Sequence, residues 1–541
     1  MIASHGTGGL RARRRMRRPR RIALLGAAGA GLLLSAGLLG LVLRSGAEAE
    51  SLGRVVPLVG AAFALYAVAA VLVLKGGATG RGALVLVVLV GLAARLVLAV
   101  HEPVVSRDAY RYVWDGRVAA AGINPYRYPP ADPALVPLRD EEVYPNIDRR
   151  TEPTIYPPAA EGLFRALHAV SGGSVVGTKL ALVLLDGLAI TLLAFLLHRF
   201  GMRPERVVLY AWHPLAILEI GHSGHVDGVA ALLLLLAVLL FAVRWPVATG
   251  IALAGATLVK LYAVAALPAL LRRERRADGR LLAAFGATVV LAYLPFLGVG
   301  RRVLGYLPGY LEEEGISSGE RFYLAPLAGG LPYAPLLVAA MAVLALRLWQ
   351  RPAADGRTAG GRVLLLFVCL LVLATPSYPW YALLALAFLP LARGVVLLPA
   401  TVLTATAPLL YVYLKSTSEP AWPLHVAYGG SAAALALAAL WALRRLADRT
   451  LRLAAAMTAL LLTQRRRREL GDTRLERHLR PEAELLLGPH GRGEDVPDVA
   501  EPVGARHLGP PVAAERLGER TGEVTDGPGL AARDVEDADT G

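Results

Sequence analysis

The chain has 541 residues, 55% of them hydrophobic and only 18% charged, and a formal net charge of +15. A soluble protein of this length would carry about a quarter charged residues, so a soluble globular class is excluded. The basic residues sit in short clusters at the ends of apolar runs, which is a membrane-topology pattern and leaves no role for a nucleic-acid partner.

Residues 1–21 carry RARRRMRRPRR and predict a basic cytoplasmic N-terminus. The run that follows, Ile22 to Leu43, has full spanning length, so it reads as a retained span rather than a cleaved signal segment. Apolar runs at 57–74 and 82–100 come next, with Lys75 and Arg81 between them. Three crossings place residue 101 on the non-cytoplasmic side. The loop from about 101 to 173 is then an outer loop. Within it, Arg107 to Ala121 has Tyr110, Val113, Trp114 and Val118 at helical spacing, which predicts a short amphipathic helix at the interface. Gly122 and Asn124-Pro125 end it. The proline-rich remainder, through TIYPPAAEGLF, is expected to be irregular.

Spans are expected at about 174–197 and 206–220, then onward to Arg244. The 246–271 run lies between two basic clusters, Arg244 and RRERRADGR, and must cross an even number of times or dip and return. Two half-length helices meeting near Lys260 satisfy that requirement; irregular backbone at this depth is tolerated where it lines a cavity. Further runs lie near 281–298, 332–349, 363–375, 380–392, 395–414 and 424–443. The expected fold is an all-α integral membrane protein of roughly 11–14 transmembrane helices, with a membrane domain over 22–445. Residues 446–541 read as a cytoplasmic, largely disordered tail. The single cysteine, Cys369, excludes a disulfide within the chain.

Asp108 leads the candidates for chemistry, as a carboxylate just past a span with Arg107 and Arg111 beside it. Its bland alternative is a solvated aspartate paired with an arginine. Asp115, seven residues on, falls on nearly the same helical face, with Arg111 and Arg117 near it. In WHPLAILEIGHSGHVDG, the residues Glu219, His222, His225 and Asp227 cluster at a span end. Zinc sites favour a helical H-x-x-x-H, and H-x-x-H stands here, so the cluster is assigned to a polar ligand and no metal is expected. Lys260 lies inside an apolar run in a chain with only four lysines; it either snorkels to the interface or meets a lipid phosphate. Tyr378 and Trp380, in TPSYPWY, are either an interfacial belt or a wall for a sugar ring.

The strings RDAYRYVWDGRVAAAGINPYRY, TIYPPAAEGLF, WHPLAILEIGHSGHVD, LVKLY and PSYPWY stand in this order. Together they resemble the polyprenol-phosphate-sugar-dependent glycosyltransferases of the GT-C superfamily, nearest the bacterial mannosyltransferases around glycosyltransferase family 87. The resemblance covers about residues 60–415. It implies a multi-pass cell-membrane enzyme with a polyprenyl-phosphate-linked sugar donor, expected to be mannose, and a glycolipid or lipoglycan acceptor of the cell envelope. It further implies transfer on the outer face with inversion and Asp108 as general base; the basic clusters and the span count predict both termini cytoplasmic, and no cofactor is expected. Tyr112 and Tyr156 join the substrate-contacting residues, and Arg107, Arg111, Arg321 and Lys260 are candidates for the phosphate. Two positions depart from the family pattern: His213 stands where asparagine is usual, and PNIDRRTEP replaces a histidine-bearing segment. A secondary transporter, supported by span number, Lys260 and the broken helix, is the rival class. An inactive binder of lipid-linked glycans on the same fold is the third reading.

Overall fold

A computed structural model describes residues 6–44, 48–273, 277–316, 318–319, 321–416 and 420–470. Among them there are helices and no strand. The chain divides into two units, Met1–Arg449 and Thr450–Gly541. Of the second unit, residues 450–470 are described and are helical, so helix extends beyond the expected start of the tail at 446. The rest of that expected tail lies outside the described residues.

The first unit opens with α1 (Gly6–Arg44), α2 (Glu48–Leu74) and α3 (Arg81–Ala99). A loop module follows, built on α4 (Asp108–Ala120) and α5 (Pro158–Ser171), and leads into α6 (Val175–Arg199). The helix α4 is the amphipathic helix expected at 107–121. The helix α5 corrects the expectation of irregular chain: Pro158 occupies its first position and Glu161 its first turn, both favourable at a helix start. The two helices pack closely because Gly116 has no Cβ to strike the Phe164 carbonyl.

Beyond α6 the helices are short and broken. They are α7 (Pro214–His222), α8 (Asp227–Ala242), α9 (Pro246–Val259) and α10 (Leu261–Leu270). The pair α7 and α8 is bent by 118°. Between α9 and α10, Lys260 is extended at φ −141° and ψ 112°, which is the break expected there. Then come α11 (Gly279–Tyr293), α12 (Leu307–Glu313), α13 (Tyr333–Gln350), α14 (Gly356–Ala374), α15 (Pro379–Leu391), α16 (Gly394–Lys415) and α17 (Gly430–Leu470). Among the described residues nine helices are long and apolar enough to cross a membrane, ten if the bent pair is one span. That is fewer than the roughly 11–14 expected, because the apolar runs of α9, α10 and α15 are cut into pieces of under eighteen residues.

Helix α3 is central: it packs on α1, α6 and the broken 208–222 segment. A buried ion pair ties these together, with Arg95 Nε 2.7 Å from Asp186 and both side chains fully buried. The Tyr210 hydroxyl donates to Asp186 at 2.5 Å. The same arginine repairs the break before Pro214. Leu215 N–H, which in a continuous helix would bond Ala211 O, instead donates to His213 Nδ1 at 3.3 Å. Arg95 Nη1 fills the freed Ala211 carbonyl at 2.6 Å. Thus His213 does the N-capping work for which asparagine is also suited.

Candidate active site

The site forms where α4 begins, beneath the α7–α8 bend. Asp108 is the first residue of α4, where exposed N–H groups and the helix dipole favour a carboxylate. Its Oδ2 accepts from the Tyr156 hydroxyl at 3.1 Å and faces the Tyr112 hydroxyl at 3.5 Å. Burial pushes both tyrosine hydroxyls well up, so they remain donors. Tyr112 stacks on Phe164 of α5, with centroids 4.6 Å apart, and Tyr156 meets the same ring edge-on at 5.1 Å. The α4–α5 pairing therefore fixes both hydroxyls. The Asp108 side chain is 28% exposed.

His225 reaches Asp108 from the bend, with Nδ1 3.6 Å from Oδ2. Its Nε2 lies 3.3 Å from Glu219, and both side chains are fully buried. The Tyr411 hydroxyl of α16 donates to Glu219 at 2.9 Å. Trp380 stacks on the His225 ring at 4.2 Å, and Tyr378 stacks on Trp380 at 4.5 Å. The expected aromatic wall is thus joined to Asp108 through a histidine.

Asp227 is also fully buried, pairs with Lys260 at 3.1 Å and accepts from the Tyr262 hydroxyl at 3.0 Å. Lys260 Nζ stands 5.9 Å from the Tyr156 ring centre and 6.0 Å from that of Tyr381. This corrects the snorkelling alternative, since the ammonium points to a buried carboxylate beside the site. Lys260 and Asp108 share Tyr156, one at the ring and one at the hydroxyl.

Four expected site residues lie elsewhere. The Asp115 carboxylate accepts from Arg111 Nε through both oxygens at 2.9 Å, and Arg111 Nη1 donates to the Glu152 carbonyl. Beside them the Thr154 hydroxyl donates to Glu161 at 2.7 Å. Burial pushes both carboxyls up, Glu161 furthest because Asp115 adds like charge. This cluster holds the loop module together from inside. Arg117 is tied to Asp140 at 2.6 Å and to the Leu138 carbonyl. His222 accepts the Val104 N–H at Nε2, 3.1 Å away, and so anchors the chain entering the module. His222 and His225 therefore do not converge, and among the described residues no group of three or more His, Cys, Asp or Glu is placed to hold a metal. Of the phosphate candidates, Arg321 is paired with Glu314 at 2.7 Å and Arg107 is exposed.

Sequence reasoning missed Tyr411, Lys179 and the Arg95–Asp186 pair. Lys179 is buried and donates to the His101 carbonyl at the module's entry. A charged residue inside an apolar run was the available signal for three of these.

Among the described residues the fold is all-helical, with helices long and apolar enough to cross a membrane, which defines an all-α integral membrane protein. Residues 21–273 match the family model MptA_B, described as alpha-(1->6)-mannopyranosyltransferase, N-terminal domain. The chain is a membrane glycosyltransferase with an N-terminal region of mannosyltransferase type. The matched region contains Asp108, Tyr156, Glu219, His225, Asp227 and Lys260; Trp380 and Tyr411 lie beyond it. No curated protein and no solved structure matches the chain.

Proposed function

We propose that the protein transfers mannose from a polyprenyl-phosphate donor to a glycolipid or lipoglycan of the cell envelope, at a site on the non-cytoplasmic face, with inversion. Asp108 is the general base. It takes the proton of the acceptor hydroxyl as that oxygen bonds the anomeric carbon and the carbon–phosphate-oxygen bond breaks. The phosphate leaves as a stable anion, so the donor needs charge stabilisation more than an acid. Lys260, whose ammonium stands 5.9 Å from the Tyr156 ring centre, is the candidate for that role. Trp380 and Tyr378 offer flat faces to the sugar.

The observation that carries this reading is a contrast in exposure. Glu219 and Asp227 are fully buried and paired, whereas Asp108 is 28% exposed. Its Oδ2 is held by Tyr156, and its Oδ1 has no hydrogen-bond partner among the described residues. The test is mannosyl transfer from polyprenyl-phosphate-mannose to envelope lipid extract, in membranes holding equal amounts of protein. Asp108→Asn is expected to lose about 10²–10⁴-fold in rate, the contribution of a general base. Undiminished transfer by that variant would remove Asp108 from the mechanism.

A further inference from the structure

His225 has no task in that scheme, yet it is the most constrained side chain of the site. The ring is fully buried between two carboxylates, Asp108 on Nδ1 at 3.6 Å and Glu219 on Nε2 at 3.3 Å. Neither nitrogen closes a hydrogen bond at these distances, but each faces a group that when ionised can only accept, and a neutral imidazole has a single N–H to offer the two. The ring also lies face to face on Trp380, 27° from parallel. An aromatic face attracts a cation more than a neutral ring. The position is fixed by backbone: Gly224 takes φ +72°, and the His225 N–H donates to the Glu219 carbonyl at 2.9 Å. Glu219 is fixed in turn by Tyr411.

The charge balance points the same way. The site gathers three carboxylates, Asp108, Glu219 and Asp227, and the Lys260 ammonium pairs with Asp227, not with Asp108 or Glu219. With His225 neutral, the Asp108 and Glu219 charges would face each other across one buried ring. A cation between the two carboxylates offsets that repulsion.

We propose that His225 acts as an imidazolium, kept charged by Glu219, and is the positioning residue that holds Asp108 ionised with Oδ2 turned inward. Oδ1 is thereby left to the acceptor hydroxyl. This rests on Asp108 being the base. The groups acting on the ring are Asp108 with the Tyr112 and Tyr156 hydroxyls, Glu219 with Tyr411, the Trp380 face, and the Lys260–Asp227 pair beyond Tyr156.

The experiment is the pH dependence of mannosyl transfer in membranes, from about pH 5 to 9, for the intact chain, His225→Gln, Glu219→Gln and Asp108→Asn. A required imidazolium is present at low pH and lost as pH rises, so the intact chain should show an alkaline loss of kcat. Glu219→Gln removes one of the two anions facing the ring and should move that loss to lower pH. His225→Gln should lower kcat and abolish the alkaline limb, with the donor KM within about twofold. An unmoved limb in Glu219→Gln, or an unaltered rate and profile in His225→Gln, overturns the role of His225 while an inactive Asp108→Asn keeps the base in place. If His225→Gln does not accumulate in membranes, the Glu219→Gln profile decides alone. Activity in Asp108→Asn would instead defeat the reading beneath it.

Discussion

Replacing Arg95 by leucine should cost more stability than any single surface change, because Arg95 is fully buried and partnered on three sides. It pairs with Asp186 at 2.7 Å and donates to the Gly91 and Ala211 carbonyls at 2.9 and 2.6 Å. Its removal strands a buried carboxylate, a loss of about 3–5 kcal/mol for one partner of a buried ion pair. Asp186→Leu strands a buried guanidinium and should cost a similar amount. The double variant, Arg95→Leu with Asp186→Leu, strands no charge. It leaves the Ala211 carbonyl and the Tyr210 hydroxyl short of one partner each, which costs about 1–3 kcal/mol per group. The double variant should therefore be no worse than the worse single, and the coupling energy should exceed about 2 kcal/mol. The assay is unfolding of the purified protein in mixed micelles by graded denaturing detergent. A double variant that loses the sum of the two single losses would refute the argument that these residues act as a pair.

Tyr156→Phe removes the closest donor to Asp108 and leaves the ring. A hydrogen bond to a charged group is worth about 1.5–3 kcal/mol, so kcat should fall roughly tenfold or more in the mannosyl-transfer assay, and Tyr112→Phe, whose hydroxyl lies 3.5 Å away, should fall less. Glu161 gives a stability prediction with a definite sign. Burial, aided by the Asp115 charge, raises its folded-state pKa well above the unfolded value. Its contribution is therefore fully present below the unfolded pKa and is lost as pH rises towards the folded one. Thermal unfolding should show Glu161→Gln gaining on the intact chain as pH increases from about 5 to 8; a constant difference would refute it.

The parts of the fold legible in sequence were those set by one short stretch. Helical spacing gave α4, and two bracketing basic clusters gave the break at Lys260. Pairing across the fold was not legible. Asp115 shares a helical face with Asp108, but seven residues are about 10 Å along an α-helix, so the same face is not the same site. Arg111 was a candidate for the phosphate and Arg117 for contact with the substrate, and each is paired with a carboxylate of the loop module. The helix α5 was hidden by the prolines before it, although Pro158 at its first turn is a start signal rather than a stop. Asp108, Tyr156, Glu219, His225, Lys260, Trp380 and Tyr411 span some three hundred positions. Sequence could name most of them and could not say which touch.

What these residues share, Tyr411 apart, is a place at or beside a break in regular backbone: a helix start, the 118° bend, the extended Lys260 and the turn at 376–381. Backbone freed at membrane depth must find partners within the protein. Polar groups beside the site supply several of them, His222 to the Val104 N–H, Lys179 to the His101 carbonyl, Tyr262 to the Tyr381 carbonyl and Tyr428 to the Pro376 carbonyl. The irregular backbone around the site is therefore stabilised by neighbours of the groups that would do chemistry there. An alanine scan would mix loss of shape with loss of chemistry at nearly every position. Only near-isosteric changes, such as Asp to Asn, Glu to Gln or Tyr to Phe, separate the two, which is why each site substitution proposed above preserves as much side-chain shape as its chemistry allows.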